Sequence, residues 1–213
     1  MIPKLHYISQ GSSPEEHLEN IQKACTAGAE LVQLRLKKLS EKKLLKVANE
    51  AREITSHFQT RLLINDHYKI AKEVKADGVH LGKTDANPTL VRKFLHSWQI
   101  IGGTANTIQD CERLLDVQVN YISLGPFRAT TTKDTTLPVL GLNGYTAITD
   151  ILKTGTPILG VGGITTNDVT ALLETGISGV AVSEAITRDF NTIRIFNQLL
   201  NASATAEQRH TFE

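Results

Sequence analysis

Short apolar runs alternate with longer amphipathic runs along nearly the whole chain. The short runs are KLHYIS (4–9), ELVQLR (30–35), RLLIN (61–65), GVHLG (78–82), QIIGGT (99–104), YISLGP (121–126), PILGVGG (157–163) and GVAVSE (179–184). Their length, β-branched content and flanking glycines and polar residues predict strands. The intervening segments carry helical periodicity. After Ser40, apolar positions recur at Leu44, Leu45, Val47, Ala48, Ala51 and Ile54, the spacing of one helix face. Ser13-Pro14-Glu15-Glu16 predicts a helix start, with Ser13 as cap, Pro14 in the first turn and Glu16 closing a capping box. Further helices are expected after residue 65, near Pro88, from Ile108 to Leu115, from Gly144 to Lys153, between Thr165 or Thr166 and Gly176, and finally up to about Leu200.

Strict alternation demands parallel strands joined by right-handed crossovers. Eight units of this length predict a single (β/α)8 TIM barrel over residues 1–200, in preference to an open doubly wound sheet. The polar stretch 201–213 is expected to fray as a C-terminal tail.

Composition narrows the function classes. The chain has 213 residues, 40% of them hydrophobic and 21% charged, enough to bury one sizeable core. A net charge of +1 and 5% aromatic residues argue against a dedicated nucleic-acid surface. The apolar runs are strand-sized, so no membrane span is expected, and the N-terminus lacks a signal-peptide profile. Cys25 and Cys111 read as inert thiols in a reducing compartment, which gives a cytoplasmic expectation. The sequence leaves a homo-oligomer open.

In parallel barrels, loops at the C-terminal ends of the strands build the active site. Asp66 and Asp85 close consecutive strands, so both carboxylates should reach one rim about 5–10 Å apart. Two acids at that separation can grip a divalent cation that also holds a phosphate ester. Gln33, Arg35 and Lys37 alternate along one strand end and share a face, and an Arg fork with a Lys point charge suits a diphosphate. Gly162-Gly163 before a capped helix, with the helix start after Val182 and Ser183, leaves backbone N–H groups available to a phosphate. Thr130, Thr131, Thr132 and Lys133 form a hydroxyl-rich loop with one cation, a weaker signal because threonine-rich loops are common. Taken singly, His80 and Thr104 read as groups that satisfy neighbouring backbone.

In order along the chain, these residues resemble the thiamine-phosphate synthase family, roughly from Leu5 to Ile186. The similar motifs are Gln33-x-Arg35-x-Lys37, Ile64-Asn65-Asp66, Gly78 to Gly82 with Asp85, Gly102 to Thr104, Gly125-Pro126 with Thr130, Thr132 and Lys133, and Gly162-Gly163-Ile164. The resemblance implies a transferase that joins a hydroxymethylpyrimidine diphosphate to a thiazole phosphate, giving thiamine phosphate and releasing pyrophosphate. It implies Mg²⁺ on Asp66 and Asp85. Arg35, Lys37, Asn65, Thr104 and Lys133 would orient the leaving diphosphate, with Thr130 and Thr132 nearby. Gly163, Val182 and Ser183 would take the thiazole phosphate, while Gln33 and His80 would border the pyrimidine. A neutral ring nitrogen as nucleophile needs no general base, in keeping with the lack of a Ser/His/Asp or Cys/His arrangement.

Several positions depart from the family pattern: His67, Lys83, Thr104, Arg128-Ala129 and Glu184, the last a carboxylate near the expected phosphate. Three alternatives stand beside the synthase reading, of which an unrelated phosphate-handling barrel isomerase fits least, since that class usually needs an acid/base pair and these acids suit a metal. Another is the thiazole tautomerase branch of the family, which tends to lack the complete diphosphate set. The third is a non-catalytic regulator that binds a thiazole phosphate.

Overall fold

The computed structural model describes residues 1–37, 39–129 and 138–210. Eight strands close into a barrel in sequence order, β1 (Leu5–Ile8), β2 (Leu31–Leu34), β3 (Arg61–Asn65), β4 (Gly78–Leu81), β5 (Ile100–Ala105), β6 (Tyr121–Leu124), β7 (Ile158–Val161) and β8 (Gly179–Val182). All neighbouring pairs are parallel, including β1 with β8. Seven strands lie within their expected runs, and β5 extends one residue past its run, to Ala105.

The strands are apolar on both faces because both faces are covered. Val32, Leu34, Leu62, Ile64, Val79, Ile101 and Ile122 point outward into the layer beneath the helices, and belong to the main core. Leu31, Leu63, Tyr121 and Leu159 form a separate inner cluster that plugs the barrel. Side chains two positions further along each strand share the inner face. That places Gln33, Asn65 and Ser123 one layer above the plug, towards the C-terminal rim. Pairing adds the register: Asn65 lies beside His80, and Thr104 beside Ser123.

The outer helices are α1 (Pro14–Thr26), α2 (Glu41–His57), α3 (Tyr68–Glu73), α4 (Pro88–Phe94), α5 (Ile108–Asp116), α6 (Gly141–Leu152), α7 (Val169–Glu174), α8 (Glu184–Arg188) and α9 (Thr192–His210). Ser13 caps α1 through the Glu16 N–H as expected. Glu16, however, reaches back to Ser12 N–H at 2.6 Å rather than to the cap residue. Thr165 and Asp168 form a capping box ahead of a single 3-10 turn (Thr166–Asp168) that leads into α7.

The final helical segment is two helices, where a single one was expected. Asp189 adopts extended backbone after α8, its side chain accepts from Asn191 N–H at 3.0 Å, and its carbonyl accepts from Thr192 N–H at 3.1 Å, which restarts the chain as α9. That last helix runs to His210, ten residues past the expected end near Leu200, through a stretch without glycine or proline. Phe196 and Leu200 anchor it in the core, and Lys4 donates to the Leu200 carbonyl at 3.2 Å.

Candidate active site

The loops at the C-terminal rim enclose a cavity of about 900 Å³. Of the expected site residues, Gln33, Arg35, Lys37, Asn65, Asp66, His80, Asp85, Thr104, Gly163, Val182 and Ser183 all line it. Thr130, Thr131, Thr132 and Lys133 lie outside the described residues.

Asp66 stands at the exit of β3 with φ +66, left-handed backbone that Asp tolerates better than most residues. Its N–H donates to the His80 carbonyl at 2.8 Å, which ties the turn to β4. Across from it, Asp85 folds back so that its carboxylate accepts from Gly82 N–H at 2.5 Å. Burial pushes the Asp66 carboxyl above its ordinary value, the charge of Asp85 and a hydrogen-bonding contact with it push the same way, and His67 opposes them. The two carboxyls therefore interact, and both line the cavity.

Arg35 leaves β2 half-buried, and burial draws its guanidinium down from the usual range. Its backbone N–H donates to Ser9 Oγ at 3.1 Å, and Ser9 N–H donates to the Gln33 carbonyl at 2.9 Å, so β1 fixes where β2 ends. The cavity thus has two acids on the β3 and β4 side and two cations, Arg35 and Lys37, entering from β2.

Beneath this rim lies a polar floor of which sequence reading found only part. His80 Nδ1 is 2.8 Å from the Tyr121 hydroxyl, and His80 Nε2 is 2.9 Å from Thr104 Oγ1. The His80 and Tyr121 rings stack, and His6 meets Tyr121 edge-on. Burial pushes the Tyr121 phenol up, against a smaller pull from Gln33, so it stays protonated. Burial and the nearby His80 draw the His6 imidazole down to about 3, which keeps it neutral. Gly102 makes room for this floor, since a Cβ there would sit 2.1 Å from Tyr121 Cζ. Tyr121 and Ser123 were missed because YISLGP reads as an ordinary buried strand; their two-residue offset was the available signal.

At the opposite side of the cavity, Gly162 (φ +104) and Gly163 (φ +65) turn the chain out of β7. The N–H groups of Gly163 and Ile164 donate to no described residue, and both residues face the cavity. Arg128, noted in the sequence only as a departure from the family pattern, lies behind this turn. Its guanidinium donates to the Gly163 carbonyl at 2.9 Å and grips Asp168 with two bonds, at 2.9 and 2.6 Å. Glu184, the other conspicuous departure, pairs with Arg188 one helical turn on, and both line the cavity. Lys83 is likewise engaged, donating to the buried Asp110 at 2.8 Å. Of two further lining residues, Asn106 carried no motif of its own and Thr165 was read only as a helix cap.

Among the described residues, no helix is long and apolar enough to cross a membrane. In fold, the chain is similar to the thiamine phosphate pyrophosphorylase from Pyrococcus furiosus, with a TM-score of 0.78 over 92% of this chain and 96% of that one at 22% identity. In sequence it is 40% identical to the thiamine-phosphate synthase of Flavobacterium johnsoniae over 202 residues, covering 93% of this chain and 95% of that protein. It is 41% identical to the Flavobacterium psychrophilum protein of the same name, covering 93% and 98%. Both relatives carry the synthase name, which does not favour the tautomerase alternative. Residues 5–186 match the family described as Thiamine monophosphate synthase, the same span over which the rim motifs run in order. With residues 5–186 matching the family model and about two in five positions identical to these relatives over nearly their whole length, the chain belongs to the thiamine monophosphate synthase family.

Proposed function

We propose that this protein is a transferase that condenses an aminopyrimidine-methyl diphosphate with a thiazole phosphate, forming thiamine phosphate and releasing pyrophosphate. The observation that carries the reading is the contact between Asp66 and Asp85 in one cavity with Arg35 and Lys37. Two crowded carboxylates, one of them pushed up by burial and by the other, call for a cation between them. Among the described residues, no group of three or more His, Cys, Asp or Glu side chains could hold a metal alone. That donor set suits Mg²⁺, which takes one or two carboxylates and completes its shell with water and substrate phosphate oxygens. Asp66 and Asp85 would hold the ion, which would neutralise charge on the diphosphate.

The remaining chemistry belongs to the side chains. Arg35 and Lys37 would screen and orient the departing diphosphate, Arg35 by a two-pronged grip. Asn65 and Thr104 would donate to its oxygens from the inner face. Electron release from the aminopyrimidine ring favours early breaking of the C–O bond, so catalysis is mainly stabilisation of the leaving group and alignment of the two rings. The attacking thiazole nitrogen carries no proton, so no side chain need act as base. Gln33 and His80 would border the pyrimidine. The N–H groups of Gly163 and Ile164, which donate to no described residue, with those near Val182 and Ser183, would take the thiazole phosphate.

The test is to incubate the protein with both phosphorylated substrates, with and without Mg²⁺, and assay for thiamine phosphate and pyrophosphate. The expected result is product only when both substrates and the metal are present. Binding of the thiazole phosphate without turnover under every condition would overturn the reading in favour of a silent binding protein.

A further inference from the structure

Arg128 stands just beyond β6 and reaches across to the turn after β7. Backbone bonds carry the strand pairing past its end, with Phe127 N–H donating to the Val161 carbonyl at 2.8 Å and Arg128 N–H to the Gly162 carbonyl at 3.1 Å. The Arg128 stem packs its guanidinium over the Phe127 ring, 4.7 Å from the centroid. From there the fork divides: one nitrogen donates to both the Gly163 carbonyl and Asp168, the other to Asp168 alone. Asp168 in turn accepts from the Thr165 N–H and hydroxyl, each at 2.8 Å. Burial pushes the Asp168 carboxyl up, but bonds from Arg128 and Thr165 outweigh that and hold it below the usual carboxylate range.

The peptide between Gly163 and Ile164 is planar and trans, so its N–H points opposite to its carbonyl. A guanidinium that holds the Gly163 carbonyl on the outer side therefore turns the Ile164 N–H the other way, towards the cavity that Ile164 lines. Glycine at left-handed φ has little preference of its own between neighbouring conformations, so the turn needs an external brace. We propose that Arg128, braced by Asp168, is a positioning residue that sets the direction of the phosphate-binding N–H groups after β7, and so governs affinity for the phosphorylated co-substrate. The proposal rests on the reading of that turn as the thiazole-phosphate site. It differs from simple charge attraction, because the guanidinium is already bonded to a carboxylate and a carbonyl.

Two variants separate these accounts. Arg128→Met keeps the stem over Phe127 and removes the fork, while Asp168→Asn keeps the size of the brace and releases Arg128. Thiazole phosphate, and the corresponding unphosphorylated thiazole alcohol, are titrated into each full-length protein by calorimetry, and steady-state kinetics are run with both substrates. Loss of a charge-assisted bond predicts that Arg128→Met weakens thiazole phosphate binding about tenfold. Binding of the alcohol, kcat and the KM for the pyrimidine diphosphate should stay within about twofold. Asp168→Asn should move affinity in the same direction, about threefold, because the fork loses its second anchor. Tighter binding in Asp168→Asn would show that free positive charge matters instead, and would overturn the proposal. Unchanged affinity in Arg128→Met would overturn it too, with the synthase reading intact. Failure of the unaltered chain to bind thiazole phosphate would sink the reading of the turn itself, and this proposal with it.

Discussion

Asp66 combines left-handed backbone with a carboxyl pushed above its ordinary range by burial and by Asp85. Asn tolerates positive φ about as well as Asp, so Asp66→Asn removes the charge with the turn preserved. We expect kcat to fall by about 10²-fold or more, as for loss of one preorganised electrostatic group. Affinity for the thiazole phosphate should change less than about twofold. The melting temperature should not fall, because a like-charge contact is relieved; kinetics and calorimetry on one preparation check both. The pH dependence has a definite sign. Asp66 is raised, so its contribution to stability is greatest when protonated in acid and declines as pH rises through its folded-state value. If Asp66 holds Mg²⁺ as proposed, it does so ionised, so protons and Mg²⁺ would compete. The acid limb of the kcat/KM profile should move to lower pH as Mg²⁺ is raised from limiting to saturating. A limb that stays fixed across such a titration would remove Asp66 from the proposed metal site. Legibility at this scale was uneven: residue types at strand ends announced Asp66, Arg35 and Gly163, whereas nothing local to Tyr121 or Asp168 marked either as a partner of the site.

Between β5 and β6, the packing of one glycine against one tyrosine shapes the floor on which His80 and Thr104 sit. A Cβ at Gly102 would fall 2.1 Å from Tyr121 Cζ, and Tyr121 is fully buried with neighbours on the inner plug. Gly102→Ala should therefore destabilise the fold by about 1–3 kcal/mol through overpacking, read as a lower urea midpoint with an unchanged slope. Tyr121→Phe removes the hydroxyl bonded to His80 Nδ1. It should cost about 1 kcal/mol, with a rise in the pyrimidine diphosphate KM if His80 is thereby loosened. Strands were legible because runs buried on both faces are continuous in sequence. The break between α8 and α9 was not, since Asp189 and Thr192 look like unremarkable helix residues until the Asp189 carbonyl and carboxylate take new partners.

The whole molecule depends on one seam, the pairing of β1 with β8 that turns a sheet into a barrel. Val180 N–H donates to the Lys4 carbonyl at 2.8 Å, and a Cβ on Gly179 would meet that same carbonyl oxygen at 2.1 Å. Backbone cannot swing aside as a flexible side chain can. Gly179→Val should cost more than about 3 kcal/mol, seen as loss of near-ultraviolet circular dichroism and of a cooperative thermal transition. Survival of a native-like transition would mean that the seam relaxes more readily than this contact implies.

Alternation of apolar runs with helical periodicity was enough to determine a parallel barrel, and the acids, cations and glycines at the run ends to point to the rim proposed to carry its chemistry. These signals are local: period two and period 3.6 decide which residues are buried and which face a strand end presents. Closure and register decided the rest. They brought Asp66 against Asp85, set Tyr121 under His80 and Thr104, and carried Arg128 across to Gly163 and Asp168. Such partners are 17 to 41 positions apart in the chain, and only the curvature of a closed sheet makes them neighbours.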